Sequence, residues 1–218
     1  LESDFTVISY DRRGRGDSGD TTPYAVAREV EDLGAIITAV GGIAAVYGHS
    51  SGAAVVLNAA ACGLPLTKVV LHEPPYGPAD ADSQRRTKEL DAQLTTFLAE
   101  GRRSDAVELF LTIAGMPAEA AAQLAKDPSM IAKAATLAYD FAVIGNATTG
   151  GTIPLDLVRN VTQPALAVCG SASPTWMVDT TRRLADALPG AHYVELDGHD
   201  HVVPPEILAP VVTKFLAC

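Results

Sequence analysis

Five short runs rich in β-branched and aromatic residues recur along the chain: FTVISYD (5–11), IAAVY (43–47), KVVLHE (68–73), PALAVCG (164–170) and AHYVELDG (191–198). Each has the length and composition of a sheet strand. Stretches with helical spacing separate them, such as Val26, Val30, Leu33, Ile36, Ile37 and Val40, then TWMVDTTRRLADAL (175–188) and PEILAPVVTKFLA (205–217). Strands that alternate with helices cannot be joined by hairpins, so the pattern implies an α/β fold with a parallel sheet and right-handed crossovers. Thr22 is read as the cap of the first helix, Pro23 as its first residue and Gly41-Gly42 as its stop.

Between 77 and 160 the texture changes. RTKELDAQLTTFLAE, SDAVELFLTIA, PAEAAAQLAK and PSMIAKAATLAYDFAVIG all carry helical periodicity between Gly, Pro and Asp breaks, and no strand is predicted there. The segment reads as a helical cap or lid, residues 77–160, inserted into a core made of 1–76 and 161–218. A chain of 218 residues suffices for one continuous core.

A net charge of −10 argues against nucleic acid as partner. No apolar run is long enough for a bilayer, so no membrane role is expected. Cys62, Cys169 and Cys218 form an odd set without metal spacing, which suits free thiols in a reducing, cytoplasmic setting. The expected partner is a small-molecule substrate, with no cofactor and no metal. Leu1 is not Met and stands just ahead of the first predicted strand, so an amino-terminal segment of the same protein is expected upstream.

GHSSG, residues 48–52, joins the IAAVY strand to an alanine-rich helix. A serine hydroxyl needs exposure, a base and oxyanion donors before it can attack at neutral pH. The Gly-x-Ser-x-Gly turn supplies the exposure, with glycines two residues either side to avoid clashes. Gly48 and Gly52 make Ser50 the central residue; Ser51 would be flanked by His49 and Ala53. The amide of Ser51 opens the helix and is read as an oxyanion donor. A triad on such a turn runs serine, acid, histidine, which directs attention to His199 and His201 in GHDHVV. GRGDSG (14–19) fits a dinucleotide loop in spelling alone, because its helix starts only after Pro23 and the next strand ends without an acid.

The runs VISYDRRGRGDSG, VYGHSSGA, VVLHEPP and LPGAHYVELDGHDHVVPPEILAPVVTKFL together resemble the α/β-hydrolase superfamily, in particular small bacterial esterase-like members with a helical cap. The resemblance covers nearly all of the chain outside 77–160. It implies further strands before FTVISYD and a catalytic His past the last strand, for which His201 matches better than His199. It also implies an acid three residues past Gly170, where this chain has Ser173. Some relatives place the acid after the preceding strand, whose end here is Glu73. The expected triad is therefore Ser50, Glu73 and His201, cleaving an ester, thioester or lactone of a small apolar substrate. Dehalogenase and epoxide-hydrolase chemistry is set aside, since water cannot open the ether that serine would form. His49, Phe141, Trp176 and Met177 are the candidate pocket residues. A non-catalytic ligand-binding scaffold and a lyase or cyclase on the same fold are the alternatives.

Overall fold

The computed structural model describes residues 1–217; Cys218, read above as a free thiol, lies outside the described residues. In chain order the elements are α1 (Val26–Ala39), β1 (Ala44–His49), α2 (Ser51–Ala61), β2 (Leu66–His72), α3 (Ala81–Ala99), α4 (Arg103–Ile113), α5 (Ala118–Leu124) and α6 (Pro128–Lys133). A short 3-10 turn (Ala134–Thr136) leads into α7 (Leu137–Ile144), α8 (Asn146–Thr149), α9 (Leu155–Val158), β3 (Ala165–Gly170), α10 (Thr175–Ala187), β4 (His192–Leu196) and α11 (Pro205–Ala217). Four of the five predicted strands are present. They form one parallel sheet in the order β1-β2-β3-β4.

The chain divides into two compact units. The first holds Leu1–Asp11, Ala27–Tyr76 and the chain from Ile153 onward, and so contains the whole sheet. Every residue of β3 is buried, as expected of a parallel strand covered on both faces. On one face Val70, Leu166, Val168 and Leu196 pack with Val203 and Val212, joined by Leu208 and Phe215 of α11. Lys68 secures the end of that helix by donating to the carbonyls of Phe215 and Leu216, both at 2.9 Å, where a cation offsets the helix dipole. Helix α2 packs on β1 and β2, and α10 on β3 and β4.

Residues 5–11 are the exception. They form no strand, and Val7, Ile8 and Tyr10 are exposed. Alternating β-branched residues supply propensity, but an extended segment becomes a strand only in a ladder with a neighbouring strand, and no strand among the described residues forms a ladder with it. The first helix also starts later than its Thr-Pro signal suggests, at Val26. That is where its buried stripe of Val30, Leu33 and Ile37 begins to take shape; Thr22 and Pro23 lie exposed with no face to bury. Its end is as expected: Gly42 adopts a φ of 84° and donates to the carbonyl of Ile37 at 2.8 Å.

The second unit consists of Gly77–Thr152 together with Arg12–Val26. Its core gathers Leu94, Ala106, Val107, Leu111, Ala121, Ala125, Ala134, Leu137 and Phe141 from four helices and the 3-10 turn. The charged loop 12–20 belongs to this unit for a clear reason. Arg12 and Arg15 both donate to one oxygen of buried Asp140, at 3.0 and 2.7 Å, and Arg15 also reaches the carbonyl of Thr136. Tyr139 donates to Asp20 at 2.6 Å and stacks on Tyr24 with centroids 4.0 Å apart. The glycine-rich spelling therefore serves a salt-bridged turn.

Removing the shared carboxylate takes a buried anion away from two half-buried arginines. Asp140→Asn is expected to lower unfolding free energy by about 2–4 kcal/mol, towards the range for breaking a buried ion pair. Faster tryptic cleavage at Arg12, Arg13 and Arg15 should accompany it. Wild-type cleavage rates with an unchanged denaturation midpoint would contradict this account of the loop.

Candidate active site

Parallel strands end together, and here the carboxyl ends of β1, β2 and β3 carry His49, His72 and Gly170. Register places His49 directly beside His72. Immediately after these positions come the only two described non-glycine residues with left-handed backbone, Ser50 at φ 54° and Glu73 at φ 46°. Such conformations cost about 1–3 kcal/mol each and persist only where surrounding structure imposes them. Ser50 is tied down by its amide, which donates to the carbonyl of His72 at 2.8 Å, and by its carbonyl, which accepts from Ala53 at 2.9 Å. Gly48 is required for this turn, because a Cβ there would meet the carbonyl oxygen of Gly52 at 2.4 Å. The matching expectation for Gly52 fails: a Cβ at that position would meet nothing within 4 Å, since it points away from the turn.

Glu73 is wholly buried, yet no part of its carboxylate lacks a partner. One oxygen accepts from the amide of Gly170 at 2.7 Å and from the hydroxyl of Ser173 at 2.6 Å. The other accepts from Nδ1 of His201 in a short hydrogen bond. Burial, the largest single influence, pushes this carboxyl up; the hydrogen bonds from His201, Ser173 and Gly170 together outweigh it and hold it below the ordinary range. A carboxylate accepts only, so His201 carries its proton on Nδ1 and leaves Nε2 as the basic nitrogen of the neutral ring. Ser173 stands at the position the resemblance assigns to the acid. In the sequence it reads as a missing carboxylate, and its role as donor to Glu73 has no signature in a single sequence.

His201 belongs to the loop after β4, at the far side of the sheet from β1, and the loop reaches back across the strand ends. A Cβ on Gly170 would meet the carbonyl oxygen of His199 at 2.1 Å, so the loop lies directly on the end of β3. Ala172 donates to that same carbonyl at 2.8 Å, and Gly198 donates to the Ser171 hydroxyl at 2.8 Å. Beyond this crossing His201 meets Glu73, and its own carbonyl meets Nε2 of His49 at 2.9 Å. His49 and His201 rings lie 4.4 Å apart, His49 and His72 rings 4.5 Å. Among the described residues the Ser50 hydroxyl makes no hydrogen bond, and neither does Nε2 of His201.

Of the residues named from the sequence, the structure thus gathers His49, Ser50, Glu73 and His201 at one edge of the first unit. Ser51 opens α2 as its first residue, with its amide in the helix's amino-terminal turn. The pocket candidates fare differently. Phe141 is closed into the core of the helical unit, 6.4 Å from the ring of Phe110, so it lines no open surface. Met177 joins the buried stripe of α10 with Thr180, Thr181 and Leu184, which is core packing; Trp176 beside it is half-buried. His199 contributes its carbonyl to the loop crossing. Asp197 and Asp200 are exposed, and Asp200 accepts from the amide of Val202 at 2.9 Å.

Residues 1–210 match the alpha/beta hydrolase family. The chain belongs to that family. It is 48% identical to an alpha/beta hydrolase from Sphaerobacter thermophilus DSM 20745, with a TM-score of 0.81 over 97% of this chain and 82% of that one. MenH from S. aureus shares the fold at 17% identity and a TM-score of 0.68, covering 95% of this chain and 81% of its own. An enol-lactonase from Burkholderia xenovorans LB400 does so at 19% identity and 0.62, covering 96% and 80%. No curated protein sequence matches the chain. No helix among the described residues is long and apolar enough to cross a membrane.

Gly170→Ala must push the loop off β3, so it is expected to lower unfolding free energy by about 1–3 kcal/mol, as overpacking does. An unchanged denaturation midpoint would contradict the crossing. His72 is buried with Nδ1 paired to the Tyr47 hydroxyl at 2.7 Å. Burial first, and then the neighbouring His49, depress its pKa from 6.5 to about 4. Between those values the unfolded chain binds a proton that the folded chain refuses, so stability falls as pH drops through that window. Glu73, also depressed, adds to the loss at lower pH. The fall in unfolding free energy between about pH 7 and about pH 4.5 should be shallower in His72→Gln than in wild type. Equal falls would put the titrating group elsewhere.

Proposed function

We propose that this alpha/beta hydrolase is a serine hydrolase that cleaves an ester, thioester or lactone of a small substrate through an acyl-enzyme. The observation that carries the reading is the buried, fully hydrogen-bonded Glu73 holding Nδ1 of His201 beside the strained turn of Ser50. In this reading Nε2 of His201 takes the hydroxyl proton as Ser50 Oγ attacks the substrate carbonyl carbon. The amide of Ser51, at the start of α2, donates to the developing oxyanion. His201, now an imidazolium stabilised by the Glu73 carboxylate, passes the proton to the leaving group as the carbonyl–heteroatom bond breaks. Water then attacks the acyl-serine carbonyl carbon with His201 again as base; the carbonyl–Oγ bond breaks, His201 returns the proton to Ser50 Oγ, and the carboxylic acid leaves. Serine suits acyl transfer because its ester, unlike an ether, is opened by water at the carbonyl carbon.

The acid's role can be examined without disturbing its packing. In Glu73→Gln the amide oxygen still accepts from Gly170 and Ser173, which turns the amide nitrogen towards Nδ1. A nitrogen donor there forces His201 to carry its proton on Nε2, facing the serine, where it cannot act as base. Turnover of a p-nitrophenyl ester should fall by about 10³–10⁴, the scale seen when a triad acid becomes an amide. A fluorophosphonate probe should label wild type and not Ser50→Ala. Folded wild type that resists the probe, or a labelled Ser50→Ala, would overturn the assignment.

A further inference from the structure

We propose that His49 is a positioning residue for the proposed general base: its ring N–H clamps the main chain of His201 and so fixes the spacing between His201 and the neighbouring Ser50. The proposal rests on the serine-hydrolase reading above. Its basis is geometric. The His201 carbonyl can only accept, so the 2.9 Å contact from His49 Nε2 requires the proton to sit on that nitrogen. His49 is also the residue directly before Ser50 and the last of β1. One hydrogen bond therefore joins the turn that carries the nucleophile to the loop that carries the base, two segments otherwise separated by β2 and β3 in the sheet.

The base is then held at two independent points. Glu73 fixes its ring through Nδ1, which sets tautomer and tilt but leaves the ring free to move with its loop. His49 fixes the backbone of the same residue, which removes that freedom. The ring-to-ring approach of 4.4 Å adds a second requirement. During acyl transfer His201 becomes a cation, and a second cation at that distance would oppose it, so the clamp must work while neutral. Burial first, and then the charge of His201, lower the pKa of His49, consistent with a neutral donor. A lysine or arginine could hold the carbonyl but would bring the opposing charge; a phenylalanine could fill the space but could not donate.

The test compares wild type, His49→Phe and His49→Gln. Rates of fluorophosphonate labelling and steady-state turnover of a p-nitrophenyl ester are the readouts. His49→Phe should slow labelling and lower kcat by about 10–100-fold, the cost of an ångström-scale misplacement, with KM nearly unchanged. His49→Gln, a neutral donor, should recover most of the loss. In wild type, side-chain ¹⁵N shifts of His49 should report the neutral form protonated on Nε2 at neutral pH. This last measurement stands whether or not the Phe variant folds. Wild-type rates in His49→Phe, a Gln variant as slow as Phe, or an His49 ring protonated on Nδ1 would each overturn the clamp. Those outcomes are distinct from failure of the parent reading, which shows as wild type refusing the probe altogether.

Discussion

Everything at the sheet edge depends on one buried carboxylate. Glu73 has no exposure, and an unpaired carboxylate in such a place is costly enough that it would protonate or move. It does neither, because three donors converge on it from three separate segments: the last residue of β3, the loop after it, and the loop after β4. The requirement to satisfy that charge is therefore what draws the His201 loop back towards β2. The stability of this edge and the geometry of the proposed site share a single interaction.

The sheet prepares this convergence before any side chain takes part. Parallel pairing brings every strand's carboxyl end to one edge, and the β1–β2 register sets His49 against His72. The loop after β4 can cross only if β3 ends in a residue without a side chain. Gly170 provides that, and its amide, freed at the end of the ladder, becomes a donor to Glu73. A larger residue at 170 would both block the crossing and shift the donor. The glycine thus has two linked duties, and neither involves a positive φ.

Much of this is legible in the sequence, for reasons that can be named. The strands over 68–73 and 164–170 announce themselves because they are central and largely buried, and hydrophobic runs record burial directly; those over 43–47 and 191–198, the partly exposed edges of the sheet, are legible from their β-branched and aromatic residues. Ser50 is legible because its turn needs a small residue at 48. Residues 5–11 carry the same kind of pattern but form no strand, since propensity records what a segment prefers and strand pairing depends on what lies beside it. The membership of loop 12–20 in the helical unit was not legible: it rests on Asp140, more than a hundred residues away, and no local spacing reports a contact at that range. The same holds for Ser173, whose meaning changes from a missing acid to a donor once Glu73 is seen beside it.

The two strained residues explain why so much hydrogen bonding is concentrated in so little space. Ser50 and Glu73 each sit in a backbone region that non-glycine residues avoid, one after β1 and one after β2. Both would relax if their neighbours allowed it. The amide of Ser50 is held by the carbonyl of His72, and the amide of Glu73 by the carbonyl of Val168, at 2.8 and 3.0 Å. Each bond borrows a partner from the adjacent strand at the point where the ladder would otherwise stop. The sheet therefore extends its pairing by one residue at each end and uses that extension to turn two side chains away from the direction the strand would give them. A serine or glutamate in relaxed extended backbone at these positions would continue the alternation of its strand. The left-handed turn is what makes them residues of the edge.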